Sequence, residues 1–273
     1  MPISEAILNR KGPRKPAETN PEALELLNKG LLETVNLSEW LAVDQTQVIQ
    51  HTFPALGLDD AVKPVLEAVA ALPKPTAMAV IREAGQALYA HVAAKNTFNT
   101  AYAALCGHGS DLVRSYATYL AGLHSGWTVE EKLTNSLPLV ADHHFGVREV
   151  VWMALRPEID AHLTRSIQLL AEWTAHEDEN VRRFTTEATR PRGVWCAHIT
   201  ALKEAPEQAL PILEPLKADP AVYVQNSVGN WLNDASKSRP DFVVEVCDRW
   251  LAESAEKATQ KIVKRARRTI DKG

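Results

Sequence analysis

The stretch H-E-D-E-N-V-R-R-F-T-T-E-A-T-R-P-R-G-V-W, residues 176–195, carries the reading of the fold. A polar turn leads into Val181-Arg182. On helical spacing Val181, Phe184, Ala188 and Thr189 then share one face, and Arg182, Arg183, Glu187 and Arg190 look outward. A proline ring disfavours helical backbone in the residue before it, so Pro191 bounds the helix and leaves Arg192 and Trp195 in the loop beyond. The same pattern recurs as H-G-S-D-L-V-R, D-H-H-F-G-V-R and D-P-A-V-Y-V-Q. With a degenerate copy near the C-terminus, the aligned valines are Val113, Val147, Val181, Val224 and Val263, separated by 34, 34, 43 and 39 residues. Two copies share Arg-Pro at one offset, Arg156-Pro157 and Arg190-Pro191. A polar turn and an amphipathic helix at this period predict an all-α chain, a HEAT-like helical repeat solenoid. No unit can bury its apolar face alone, so neighbours stack into an α-α superhelix with a concave face.

Outside the repeats the chain also reads as helical. Asn20 is placed to cap a helix that has Pro21 at its first position and Gly30 near its end. Further helices are expected near residues 37–52, 59–71, 75–94 and 96–106, while strand-like alternation is scarce. Residues 1–20, rich in proline and basic side chains, are expected to form a flexible basic arm. Residues 21–273 are read as a single repeat domain, with an N-terminal helical bundle over about 21–95 and the clearest repeats over about 96–273.

Composition narrows the function classes. At 273 residues the chain can bury a substantial core, and no apolar run reaches the ~20 residues of a membrane span. The N-terminus lacks the layout of a secretion signal. Cys106, Cys196 and Cys247 lie far apart without metal-ligand spacing, which fits a reducing cytoplasm. His143-His144 beside Asp142 are read as solvated turn residues, and neither metal nor cofactor is expected. The net charge of −4 is unevenly spread. Arg10, Lys11, Arg14 and Lys15 cluster at one end, and residues 256–273 hold seven basic side chains against Glu256 and Asp271. Such polarity suits surfaces that meet an anionic backbone, and equally suits solubilising termini.

Candidate chemistry sits on one stripe of the repeat helices. Counting each valine as position 0, apolar residues recur at 3, 4, 7 and 8, and positions 2, 6 and 10 line the opposite side. Glu149 falls at position 2, Glu187 at 6 and Asp234 at 10, with Trp152 beside them at 5. Spacing alone allows either a convergent site or a solvated charged face.

The run E-A-T-R-P-R-G-V-W, with V-R-E-V-V-W-M-A-L-R-P and N-W-L-N-D-A-S-K-S-R-P-D, resembles the AlkC/AlkD-like DNA alkylation repair proteins, nearest the AlkC branch. The resemblance covers most of residues 100–273. It implies a bacterial DNA glycosylase of base excision repair that releases cationic N-alkylated bases, such as 3-methyladenine or 3-methylcytosine, from duplex DNA. Glu187, Asp234 and Trp195 then take the catalytic positions. Glu149 and Trp152 are expected to meet the damaged base, and Arg148, Arg182, Arg183, Arg190 and Arg192 the DNA backbone. The implied protein is a cytoplasmic monomer, nucleoid-associated when on DNA, with alkylated double-stranded DNA as its partner and no membrane contact.

Two departures stand against the family pattern. Gln225 and Asn226 occupy positions where two arginines are usual, and Trp152 stands where a further carboxylate is expected. A non-catalytic relative that binds DNA structures, and a protein-interaction scaffold, are the competing readings.

Overall fold

The computed structural model of the protein describes residues 3–272. No strand occurs among them. The chain forms two compact units, Met1–Gly126 with Asp142–Ala154, and Trp127–Ala141 with Leu155–Gly273. The single domain expected over residues 21–273 is thus divided, with one helix crossing from the first unit into the second.

The helices are α1 (Glu5–Leu8), α2 (Pro21–Asn28), α3 (Leu37–Ala42), α4 (Gln45–Thr52), α5 (Asp59–Ala70), α6 (Ala77–Ala94), α7 (Phe98–Cys106) and α8 (Asp111–Leu123). There follow α9 (Val129–Val140), α10 (Phe145–Ala161), α11 (Leu163–Trp173), α12 (Glu179–Ala188), α13 (Thr200–Glu204), α14 (Leu210–Leu213), α15 (Val222–Ser236), α16 (Pro240–Glu253) and α17 (Lys257–Ala266). Asn20 caps α2 as expected, accepting from the amides of Glu22 and Ala23. The segment expected at 37–52 is two helices, because Asp44 stops α3 and caps α4 through the Thr46 amide.

Residues 3–20 are not a loose cationic tail. Ile7 is buried, and Arg10 forms a bidentate pair with the buried Glu39 while also donating to the Glu33 carbonyl. One of the four charges counted toward a basic arm is therefore neutralised internally.

The repeat valines Val113, Val147, Val181 and Val224 lie in the first turn of α8, α10, α12 and α15, Val263 lies late in α17, and all five are buried. The residue after the valine has one use in four copies. Arg114 donates to the His108 carbonyl, Arg148 to Asp142 and His143, Arg182 to His176 and Glu177, and Gln225 to Asp219 and Pro220. Each closes the turn that precedes its own helix. Two of these arginines also reach the acidic residue of the following turn, Arg114 to Asp142 and Arg182 to Asp219. Asp142, Asp178 and Asp219 in turn accept the amide two residues on, which starts the next helix. Within each unit, polar turns and apolar helices thus form a ladder, and Gln225 performs the arginine's turn-closing task without its charge.

Candidate active site

The site grows from the C-terminal half of α12. This helix stops at Ala188, ahead of Pro191, as the sequence requires. In α10 the equivalent Arg-Pro pair behaves differently, for the helix continues through Pro157 to Ala161. Truncation of α12 frees Arg190 to fold back from a loop rather than to project from a helix.

Glu187 does not look outward. It is 3% exposed, as is Asp234 on α15, and packing of α15 against α12 brings the two carboxylates onto one arginine. Arg190 Nη1 lies 3.3 Å from Glu187 Oε2, and its Nε and Nη2 lie 2.8 Å and 2.6 Å from Asp234 Oδ2. The remaining carboxylate oxygens are also engaged. Ser227 Oγ donates to Glu187 Oε1 at 2.8 Å, Arg183 approaches the same oxygen at 3.5 Å, and Lys237 Nζ lies 3.0 Å from Asp234 Oδ1. Arg183 also lies over the Tyr223 ring, 4.2 Å from its centroid. Burial opposes the Arg190 charge, but Glu187 and Asp234 outweigh it and raise its pKa above the ordinary arginine value. Two buried anions are thus held by charge-assisted bonds to Arg190, with Arg183 and Lys237 at the margin.

The loop after Arg190 carries the other candidates. Trp195 is 63% exposed and has φ +61°, a left-handed conformation that is uncommon for an aromatic residue. Arg192 donates to Ser238 Oγ at 2.7 Å, which ties this loop to the end of α15.

Not every candidate joins this cluster. Arg182 is committed to Asp219 and to two turn carbonyls, so the structure gives it a ladder role. Arg148 closes its own turn in the first unit. Trp152 is 2% exposed, with its indole N–H donating to Glu149 Oε2 at 3.1 Å. The ring, expected to meet the damaged base, is buried in the core. His144 is likewise buried, bonded to the Thr34 carbonyl and 3.4 Å from Asp111, whereas His143 is solvated as expected. Sequence reasoning missed Ser227, Lys237 and the buried Arg156, although the Arg-Pro pair shared with Arg190 had marked Arg156 as a repeat position.

Residues 149–270 match the family of DNA alkylation repair enzymes. Over this region, which is less than half of the chain, it is similar to that family. The matched region holds Glu187, Arg190, Trp195 and Asp234. The uncharacterized protein YhaZ of Bacillus subtilis (strain 168) is 41% identical over 117 residues, which are 43% of this chain and 32% of that protein. The chain thus spans about a third of that relative's length. Among solved structures, it is similar to the Pseudomonas fluorescens alkylpurine DNA glycosylase AlkC bound to DNA containing an abasic site analog. That match has TM-score 0.65 and 23% identity over 83% of this chain and 61% of the other. AlkD2 from Streptococcus mutans matches with TM-score 0.60 and 24% identity, over 78% of this chain and 98% of its own. These likenesses establish the all-α helical-repeat fold of the chain.

Proposed function

We propose that the protein is a DNA N-glycosylase that hydrolyses the bond between deoxyribose and a cationic N-alkylated base, such as 3-methyladenine or 3-methylcytosine, in duplex DNA. The observation that carries this reading is the pair of buried carboxylates, Glu187 and Asp234, held on Arg190 at the foot of the loop that presents Trp195. Alkylation at a ring nitrogen makes the base a cation and a good leaving group, so little protonation is needed. As the bond breaks, positive charge grows on the sugar, and a fixed carboxylate stabilises it while orienting water. Glu187 and Asp234 are the two carboxylates for this work, one against the sugar and the other on the water. An exposed indole attracts a cationic base through the negative face of its ring, which selects damage without reading sequence. Arg183 and Arg192, at the margin of this cluster, would meet phosphates with a salt-sensitive contribution, while the charge of Arg190 is taken up by Glu187 and Asp234.

Incubation of the purified protein with methylated duplex DNA, followed by chromatography of released bases, tests the proposal. The wild type is expected to release 3-methyladenine or 3-methylcytosine. Glu187→Gln, which keeps shape and removes charge, is expected to bind DNA and release at least a hundredfold less. No release by the folded wild type would sink the glycosylase reading. A salt-dependent duplex titration would then separate a non-catalytic DNA-binding relative from a protein scaffold.

A further inference from the structure

Arg156, on the part of α10 that belongs to the second unit, is 2% exposed. No carboxylate lies within ion-pairing distance of it among the described residues, and all its bonds go to main-chain carbonyls. Nη1 donates to Ala188 and Nε to Ala197, each at 2.8 Å, and Nη2 donates to Arg190. Ala188 is the last residue of α12, and Arg190 lies just beyond it. The guanidinium therefore meets the carbonyl-rich, partly negative end of that helix, where a cation is favoured. Burial pulls its pKa down from the ordinary value, and these carbonyl dipoles stand in for a counterion.

Its three acceptors lie on both sides of one loop. Ala188 and Arg190 mark where the chain leaves α12, and Ala197 marks where it returns; the Ile199 amide bonded to the Pro191 carbonyl closes the base. At Gly193 the backbone lies close over the guanidinium, since a Cβ there would sit 3.2 Å from Arg156 Cζ and 2.2 Å from Cys196 Sγ. Trp195 stands on this loop with φ +61°, and its 63% exposed side chain gains little from burial to offset that conformation. A strained residue persists where its surroundings over-determine it, and Arg156 is the group that ties those surroundings together.

We infer that Arg156 is a positioning residue that holds the Trp195 loop, and with it the backbone of Arg190, in the geometry that meets the damaged base. The inference rests on the glycosylase reading for its consequence, but not for its geometry. A planar guanidinium with donors on three nitrogens spans these carbonyls, whereas the lysine ammonium concentrates its donors at one point. Arg156→Lys therefore keeps the charge and loses the span.

The test uses the full chain and two readouts. The first is trypsin cleavage at the Arg192–Gly193 bond; Arg190 and residue 156 each precede proline and resist the enzyme. Arg156→Lys is expected to raise the cleavage rate about tenfold while the thermal midpoint shifts only slightly. An unchanged rate would overturn the inference whether or not the protein excises bases. The second is the single-turnover rate of base release from methylated duplex, measured for Arg156→Lys, Trp195→Ala and the double variant. Arg156→Lys alone is expected to lose about tenfold, and less than twofold when Trp195 is already alanine. Equal losses on both backgrounds would make Arg156 a general structural residue and refute its action through Trp195. Absence of release by the wild type would refute the glycosylase reading instead, with the proteolysis result still deciding the role of Arg156.

Discussion

Arg182 and Arg190 lie eight residues apart and are both half-buried, yet the structure gives them different work. Arg182 bonds a turn and the carboxylate of Asp219, while Arg190 holds Glu187 and Asp234. If duplex binding is salt-driven, Arg192→Ala, at the margin of this cluster, should flatten the dependence of log K on log salt by about 0.9 for each phosphate that the arginine neutralises. Arg182→Gln should leave that slope unchanged, because Gln225 already shows that an amide closes this kind of turn. Fluorescence titration at several salt concentrations measures both. A slope altered by Arg182→Gln, or untouched by Arg192→Ala, would contradict these roles. At Gln225 the sequence shows a missing charge but not the turn that the amide closes. The position after each repeat valine looked like an outward arginine available to phosphate, and only the bonded carbonyls reveal its structural use.

Helix packing sets the next constraint. Gly122 on α8 lies against α10 within the first unit, where a Cβ would come 2.5 Å from the Ala154 carbonyl oxygen. Backbone cannot step aside as a flexible side chain can. Gly122→Ala is therefore expected to destabilise the protein by about 1–3 kcal/mol, measured as a lower denaturant midpoint at unchanged slope. A neutral substitution would mean that the two helices pack less closely. The repeat made these elements legible: Val113, Val147, Val181, Val224 and Val263 each mark a helix, and Pro191 bounds α12. The identical Pro157 does not stop α10. Local chemistry at a proline sets a preference, and packing of the following turn decides whether the helix continues.

Across the molecule, the three thiols show how burial acts on titration, at Cys196 in the Trp195 loop and at Cys106 and Cys247 outside it. Burial raises the pKa of Cys106 to about 11 and also raises those of Cys196 and Cys247. At pH 8 about a thousandth of Cys106 is then thiolate, against roughly a quarter for a free cysteine. Native protein should thus react slowly with iodoacetamide at pH 8, faster as pH rises toward 11, and at all three cysteines once denatured. Mass spectrometry counts the adducts; rapid labelling of the native chain would contradict the burial.

Helical periodicity, the valine register and the residue types of the site were determined by the sequence alone, since each follows from spacing along a single helix. Glu187 and Asp234 were legible as candidates in that way, and Trp195 through the resemblance that its motif carries. Their surroundings were decided by tertiary structure. Glu187 is buried because α15 covers it, Trp152 is buried although its spacing sets it beside the polar stripe, and Arg190 joins two carboxylates that are 47 residues apart in the chain. Arg156 reaches three carbonyls of a loop more than 30 residues downstream. Interactions of this kind carry no period along the chain. They depend on which helix faces which, and that follows from the shapes of packed side chains rather than from their spacing.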